Sequence, residues 1–283
     1  MPLFDLDEDQ PLATGSAAPK AESLGRVKIT WTTGGTTRTL FLLPFAVVQA
    51  GRLQSQQICL RVEPTTDQAN LMKSKQISSH QFTLRYLGDR VEIVDPGSTN
   101  GIFVGTERLA TGQPRSIDTE MTVRVAECLE LDFTLVARKD SPADAEGVLA
   151  AAASHAGDSG WLQSHLVGAE KPGRVAFVKI ARKNNRPDLE YALLFHAGAI
   201  GGGPDALIRL ANENRPLPAW DFDLGGSSLD VPAQFCIRAG KLFLQRGSEA
   251  VLVAGRALEP GQAAPLVPPC EFVVGKTIFS AET

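Results

Sequence analysis

Three short polar motifs in the first half of the chain have the residue types of an anion-binding site. They are Gly51-Arg52, Ser78-Ser79-His80 and Ser98-Thr99-Asn100-Gly101. Arginine offers a planar fork of N–H donors, and serine and threonine hydroxyls add further donors. Glycines allow the tight turns that let small polar side chains on a loop reach a ligand. We therefore expect the motifs to supply convergent hydrogen-bond donors from rigid supports.

Short apolar segments with strand-like patterns surround these motifs. They alternate with turn signals such as Thr33-Gly34-Gly35-Thr36 and Leu87-Gly88-Asp89. The predicted strands of the first half are residues 26–31, 39–43, 58–62, 82–86, 91–94 and 129–136. Many short strands with frequent turns predict an all-β fold built as a β-sandwich.

The composition is that of a globular protein and disfavours several function classes. The 283 residues suffice for about two domains, and a net charge of −4 lacks the basic footprint of a nucleic-acid-binding protein. Four scattered cysteines and four isolated histidines show no metal-ligand spacing, so we expect free thiols, no metal and no cofactor. The acidic N-terminus and the lack of an apolar run of roughly 18 residues predict a cytoplasmic protein without a membrane span.

The chain divides into two predicted domains. Residues 1–24 are acidic and then rich in alanine, proline and serine, which predicts a disordered tail. We assign residues 25–138 to a first β-sandwich and residues 173–283 to a second β-sandwich. The composition of residues 139–172 predicts a linker with room for one short helix.

The second half resembles a degenerate copy of the first. Three segments recur in the same order: Gly25-Arg26-Val27 as Gly173-Arg174-Val175, residues 81–85 as 234–238, and residues 108–113 as 256–262. Each match is weak alone, but collinear matches indicate a tandem repeat.

The three polar motifs together resemble the forkhead-associated (FHA) domain, a family that binds phosphothreonine peptides. The family pattern is Gly-Arg, then Ser-Arg-x-His after a loop, then Ser-x-Asn-Gly. The resemblance covers residues 26–136, and Ser98-Thr99-Asn100-Gly101 is its most specific element. It implies an FHA β-sandwich in the first half, a degenerate FHA-like sandwich in the second, and a phosphothreonine-containing partner.

The resemblance also implies roles for individual residues. Arg52, Ser78 and Ser79 face the phosphate, while Thr99 and Asn100 hold the peptide main chain. The chemistry agrees with these roles, because phosphothreonine carries nearly two negative charges and three acceptor oxygens. An asparagine amide has both a donor and an acceptor, so it can pair with a peptide backbone as a strand would.

The site departs from the family pattern at two positions. Ser79 replaces the family's arginine, so one positive charge is missing. At the family's histidine the strand register places Gln81, and His80 lies one residue early, at the expected exposed rim of the site. Glutamine can donate and accept hydrogen bonds, so we expect Gln81 to brace the loops. Gly51 and Gly101 are the other expected structural residues.

Lys73 and Lys75 precede the second motif in a predicted loop. The simpler interpretation is that the loop is charged and solvated. The alternative interpretation is that the two lysines, as auxiliary groups, partly replace the missing arginine.

The second half lacks the phosphate-binding groups. Gly201-Gly202-Gly203 stands at the Gly-Arg position, Val231 at the serine and Gly247-Ser248-Glu249 at the third motif, while Gln234 aligns with Gln81. A carboxylate at the third motif would repel phosphate. We therefore expect this half to bind no phosphopeptide and to act as a scaffold or docking module.

Two function hypotheses follow from the sequence. The first is a phosphothreonine-binding adaptor in Ser/Thr kinase signalling; the kinase and a bacterial setting are implied by the resemblance. The second is a phospho-independent structural component of a larger assembly, such as a secretion machine, which the missing arginine and histidine favour. No nucleophile–base pair, metal set or nucleotide motif indicates an enzyme.

Overall fold

The chain folds almost entirely into β-strands. The computed structural model describes residues 25–137, 175–201, 206–210, 231–238 and 241–283. The predicted all-β class is confirmed, because these residues form strands and a single short helix. That helix has eight residues, and no described helix is long and apolar enough to cross a membrane. The predicted tail and linker helix lie outside the described residues.

The first half contains eleven strands and the helix, with the following bounds. They are β1 (Val27–Thr33), β2 (Thr36–Leu43), β3 (Val47–Gly51), β4 (Ile58–Cys59), α1 (Gln68–Lys75), β5 (Phe82–Tyr86), β6 (Val91–Val94), β7 (Ile102–Val104), β8 (Glu107–Arg108), β9 (Pro114–Ser116), β10 (Glu120–Val125) and β11 (Leu129–Ala137). The two predicted hairpin turns are confirmed, since they join β1 to β2 and β5 to β6.

The described part of the second half contains a corresponding series. Its strands are β12 (Val175–Arg182), β13 (Leu189–Leu194), β14 (Ala197–Gly201), β15 (Ile208–Arg209), β16 (Ala233–Arg238), β17 (Lys241–Arg246), β18 (Val251–Val253), β19 (Arg256–Ala257), β20 (Ala263–Pro265), β21 (Cys270–Val274) and β22 (Thr277–Glu282).

These strands form three sheets. The two smaller sheets have the orders β4-β3-β5-β6-β9 and β15-β14-β16-β17-β20, in which each strand number rises by eleven. The third sheet has twelve strands in the order β19-β18-β21-β22-β1-β2-β13-β12-β11-β10-β7-β8. The buried residues fall into two core clusters. Each cluster lies between one smaller sheet and one end of the large sheet, so each smaller sheet forms a sandwich with that end.

In the large sheet, each half of the chain contributes one hairpin to the sandwich of the other half. β12, from the second half, pairs antiparallel with β11 at the edge of the first sandwich. β1, from the first half, pairs antiparallel with β22 of the second sandwich. The two exchanged hairpins meet where β2 and β13 pair in parallel. The division of the sequence at residues 139–172 did not predict this exchange.

The two sandwiches lie on opposite faces of the large sheet. Along β13, Tyr191 and Leu193 belong to the core of the first sandwich, whereas Ala192 and Leu194 belong to that of the second. Successive side chains of a strand point to opposite faces, so the central strands have both faces buried. This explains why β13 is a nearly continuous apolar run rather than an alternating one.

The exchanged hairpins fill the cores of their host sandwiches. β12 and β13 add Val175, Val178, Ile180, Leu189, Tyr191 and Leu193 to the core of the first sandwich. Full burial of one such aliphatic side chain contributes roughly 1.5–3 kcal/mol relative to exposure. The first sandwich therefore depends on residues that follow its own last strand.

The exchange predicts a specific disulfide in a double-cysteine variant. Thr30 on β1 and Ser280 on β22 are directly paired, and their hydroxyl oxygens lie 2.5 Å apart. Directly paired residues of antiparallel strands have the separation that a disulfide needs. Thr30→Cys with Ser280→Cys in the full chain is expected to form an intrachain bond on mild oxidation, as measured by peptide mass mapping.

Each single-cysteine variant serves as the control for that experiment. A bond between two chains, visible as a dimer on a non-reducing gel, would contradict exchange within one chain. The absence of any bond between positions 30 and 280 would contradict the pairing of β1 with β22.

Candidate functional site

The first two motifs lie side by side at the end of β3. The backbone N–H of Arg52 donates to the carbonyl oxygen of Ser78 over 3.0 Å. A Cβ atom at Gly51 would lie 2.1 Å from the carbonyl oxygen of Ser79. Only glycine allows this approach of two backbones, so the Gly-Arg motif is set by contact with the loop that carries Ser78.

Gln81 joins the second motif to the third. Its side chain is fully buried, its Oε1 accepts from the backbone N–H of Ser78 over 2.8 Å, and its Nε2 donates to the carbonyl oxygen of Gly101 over 3.0 Å. Both polar ends of the amide are therefore used. Because the residue directly precedes β5, the strand holds this brace in a fixed place.

The third motif is shaped by an aspartate that sequence analysis did not select. The buried carboxylate of Asp95 accepts from the backbone N–H groups of Gly97 and Ser98 and from the Ser98 hydroxyl, at 2.9, 2.6 and 2.9 Å. Such an aspartate-led turn fixes the loop without secondary structure. The Asp-Pro-Gly-Ser sequence was the signal that could have identified it.

Thr99 and Asn100 of the third motif are exposed and hydrogen-bonded to the segment of the second motif. The Thr99 N–H donates to the Ser78 hydroxyl oxygen over 3.0 Å, and Asn100 Nδ2 donates to the Gln76 carbonyl oxygen over 2.7 Å. The Ser78 hydroxyl is an acceptor here, so its own hydrogen stays able to donate to a ligand. The Asn100 amide oxygen likewise keeps its acceptor capacity.

Lys73 and Lys75 lie on a helix, and their predicted placement in a loop is wrong. Both are in the last turn of α1, whose N-cap residue Asp67 accepts from two backbone N–H groups. Positive charge suits this end of a helix, where carbonyl dipoles accumulate. The Sγ of Cys128 donates to the Lys73 carbonyl oxygen over 3.5 Å, and burial raises the pKa of that thiol, which keeps it protonated.

The remaining predicted residues occupy two different environments. Ser79 is exposed beside Ser78. His80 is half-buried, and its Nε2 is 2.8 Å from the hydroxyl of Thr83, so its predicted exposed position is wrong. The histidine is turned to strand β5 because the adjacent Gln81 fills the position between the loops.

The site carries positive charge that no described acid neutralises. The Arg52 guanidinium has no hydrogen bond or ion pair with any described residue, and its Nε is buried. Arg61 Nε donates to the Arg52 carbonyl oxygen, and Arg108 Nη2 donates to the Thr99 carbonyl oxygen. Neither arginine forms an ion pair within the described ranges. Such uncompensated cations attract an anion to the loops.

The pairing register of the second half corrects the sequence alignment. Phe82 on β5 pairs with Ala50, the penultimate residue of β3. In the second half, Ala233 on β16 pairs with Ile200, the penultimate residue of β14, so Ala233 corresponds to Phe82. Pro232, and not Gln234, therefore takes the position of Gln81. The alignment was wrong by two residues, which strand alternation cannot reveal because its period is also two. Gln234 donates instead to a residue on β17.

At the end of the second half that corresponds to the binding loops, the structure has a buried apolar residue and closely packed backbones. Val231 is buried, and its carbonyl oxygen accepts from the N–H of Ser248 over 2.8 Å. A Cβ atom at Gly247 would lie 1.8 Å from the same carbonyl oxygen. With the corrected register Val231 corresponds to His80 rather than to Ser78, while Gly202 and Gly203 lie outside the described residues. No described residue here offers the unpaired arginine of the first site.

Comparison with known proteins identifies the family of the first half. Residues 48–126 match the family model of the FHA domain. This part of the chain is therefore similar in sequence to FHA domains, and that family consists of phosphothreonine-binding modules rather than catalytic domains. No curated protein sequence matches the chain significantly.

Several solved FHA structures are similar to part of the chain. EmbR from Mycobacterium tuberculosis, in complex with a low-affinity phosphopeptide, is 22% identical with a TM-score of 0.23, over 35% of this chain and 22% of that chain. The yeast Dun1 FHA domain, in complex with a doubly phosphorylated peptide, is 17% identical with a TM-score of 0.26, over 44% and 81%. The FHA domain of CT664 from Chlamydia trachomatis is 18% identical with a TM-score of 0.23, over 35% and 88%.

The described residues contain no group of three or more histidine, cysteine, aspartate or glutamate side chains that could hold a metal ion. All four cysteines are free thiols; Cys236 is buried and the other three are half-buried.

Proposed function

We propose that the chain is an adaptor whose FHA domain binds a phosphothreonine segment of a partner protein that a Ser/Thr kinase has modified. The observation that carries the proposal is the unpaired Arg52 guanidinium on a loop fixed directly against Ser78. The three loops are already joined by hydrogen bonds, so a ligand would not have to order them. Preorganised donors reduce the entropic cost of binding.

The available donors suit a phosphate group. Arg52 can present two parallel N–H groups to two phosphate oxygens, and the free hydrogen of Ser78 can reach a third. Each hydrogen bond to a charged group contributes about 1.5–3 kcal/mol. A few such bonds, together with main-chain contacts from Thr99 and Asn100, suffice for an affinity of about 1 μM, which corresponds to about 8 kcal/mol.

The second half serves in this proposal as a scaffold and docking module. Its sheet order repeats that of the first half, which supports a degenerate FHA-like repeat. The buried Val231 and the exposed carboxylate of Glu249 leave that end without phosphate donors. The proposed adaptor works in the cytoplasm and catalyses no reaction.

Ser79 favours a second candidate function. The missing arginine reduces the charge available to phosphate, and the twelve-stranded sheet joins strands from both halves of the chain, which suits a structural component. In this second proposal the same loops contact an unmodified partner segment within a larger assembly.

Capture of peptides by the full chain separates the two candidates. Immobilised protein is incubated with a degenerate peptide library that has phosphothreonine at a fixed central position, and with the matched threonine library. Enrichment from the phosphorylated library alone is the expected result. Equal recovery from both libraries would reject the adaptor proposal and favour the structural one.

A further inference from the structure

The hairpin of β12 and β13 touches the segment that leads into the binding loops. Arg182, on β12, is 2% exposed, and its guanidinium donates to the carbonyl oxygens of Arg61 and Cys59 over 3.0 and 2.7 Å. The Tyr191 hydroxyl, on β13, donates to the same Cys59 oxygen over 3.1 Å. Two residues from the second half therefore hold the chain just after β4.

The turn of the hairpin holds the next residues of this segment. Asn185 pairs with the backbone of Glu63 in both directions: its Oδ1 accepts from the Glu63 N–H over 3.0 Å, and its Nδ2 donates to the Glu63 carbonyl oxygen over 2.8 Å. The Arg186 guanidinium lies 3.9 Å from the Glu63 carboxylate. An asparagine that uses donor and acceptor on one residue fixes both its position and its orientation.

The segment that the hairpin holds is connected directly to the site. The Leu60 N–H donates to the Gly51 carbonyl oxygen over 2.8 Å, and Arg61 Nε donates to the Arg52 carbonyl oxygen over 3.3 Å. On the other side, the Val62 N–H donates to the Ser74 hydroxyl on α1 over 2.8 Å. The segment from Cys59 to Glu63 thus contacts both the Gly-Arg motif and the helix that precedes the second motif.

We infer that the β12–β13 hairpin, contributed by the second half of the chain, is a working part of the phosphopeptide site, with Arg182 and Asn185 as positioning residues. They hold residues 59–63, which in turn hold Arg52 and α1. The inference rests on the proposed function and extends it, because it gives the second half a role in binding although its own loops lack phosphate donors.

A change at Asn185 tests a positioning role more cleanly than a change at Arg182 does. Arg182 is buried between sheet and segment, so its removal would also disturb packing. Asn185 lies in the turn, outside both core clusters, and its two hydrogen bonds go only to Glu63. A change confined to Asn185 therefore removes the two hydrogen bonds to Glu63 and leaves the sheet pairing in place.

The chain provides a matched control in the neighbouring asparagine. Asn184 Oδ1 accepts from the backbone N–H of Glu130, on β11, over 3.2 Å, so it ties the same turn to β11 rather than to residues 59–63. Asn184→Ala and Asn185→Ala remove similar side chains one residue apart. Only the second change removes hydrogen bonds to residues 59–63, while the hydrogen bonds from Arg182 and Tyr191 to this segment stay.

The test uses both variants in the full chain, with hydrogen exchange of residues 59–75 and affinity for a phosphothreonine peptide from the library as readouts. Asn185→Ala is expected to speed exchange in this segment and to weaken peptide affinity about 2- to 10-fold, the range of one neutral hydrogen bond. Asn184→Ala is expected to change neither. Unchanged exchange in Asn185→Ala, or faster exchange with unchanged affinity, would overturn the inference.

The two readouts also separate this inference from the proposed function. If the unaltered chain binds no phosphothreonine peptide, the proposed function fails and the claimed effect on affinity fails with it. Hydrogen exchange needs no ligand, so it still decides whether Asn185 holds residues 59–63.

Discussion

Replacement of Arg52 by alanine is expected to weaken binding of a phosphothreonine peptide about 10- to 100-fold. The change removes charge-assisted hydrogen bonds worth about 1.5–3 kcal/mol, and each 1.4 kcal/mol corresponds to a factor of ten. The fold should be preserved, because the hydrogen bonds of Arg52 within the described residues are made by its backbone N–H and carbonyl oxygen, which alanine keeps. Isothermal titration of the full-length variant measures the affinity, and chemical denaturation measures the free energy of unfolding.

Two further variants make the Arg52 result specific. Arg52→Lys keeps the charge but loses the planar fork, so an intermediate affinity is expected. Arg90→Ala removes an exposed arginine that pairs with Asp89 and Glu92 at the opposite end of β5, so unchanged affinity is expected. An Arg52→Ala variant that binds as tightly as the unaltered chain would show that the phosphate is held elsewhere.

Replacement of Gln81 by leucine is expected to damage both stability and binding. The change leaves the Ser78 N–H and the Gly101 carbonyl oxygen without partners beneath the loops. An unsatisfied buried polar group costs about 1–3 kcal/mol, so the two together lower the free energy of unfolding by about 2–6 kcal/mol. The second and third motifs also lose their link, so peptide affinity should fall with stability.

The conservative variant Gln81→His tests the reason for this effect. An imidazole has one donor and one acceptor, so it can replace both hydrogen bonds where leucine replaces neither. Chemical denaturation and titration should therefore place Gln81→His between the leucine variant and the unaltered chain. Gln81→Leu with unaltered stability would contradict the assignment of this residue as the brace.

Local sequence patterns predicted the fold class because short strands and their turns are specified by neighbouring residues. Alternation and the Gly34-Gly35 signal are enough to predict β1 and β2. The helix α1 has only eight residues and exposes Leu71 and Met72, so it lacks the apolar periodicity that marks a helix. Its main sequence signal is the N-cap residue Asp67, which is also a common loop residue.

The hairpin exchange could not be predicted from local patterns. β1–β2 and β12–β13 are both apolar hairpins, and either one could pair with β11. The exchange is accompanied by side-chain contacts between residues far apart in the chain, such as Phe41 stacked on Tyr191 with ring centroids 5.4 Å apart. No pattern within a single strand predicts such a contact.

The sequence predicted the residue types of the site, but it did not identify several of the residues that support them. The family pattern identified Gly51, Arg52 and Ser78, which the structure brings into direct backbone contact. Asp95 was missed because it precedes the motif and faces inward, and Asn185 because it is 122 residues away from its partner Glu63. Supporting residues are found by geometry, since their own types are common in loops.

We propose that the first sandwich recognises phosphothreonine through loops fixed by Gly51, Gln81 and the exchanged hairpin. The full chain must be used in its test, because β12 and β13 complete the first sandwich. One peptide selected from the library is titrated in its phosphothreonine and threonine forms by isothermal calorimetry. We expect a dissociation constant of about 1 μM for the phosphorylated form and binding at least about 100-fold weaker for the unphosphorylated form. Equal affinity for both forms would contradict it.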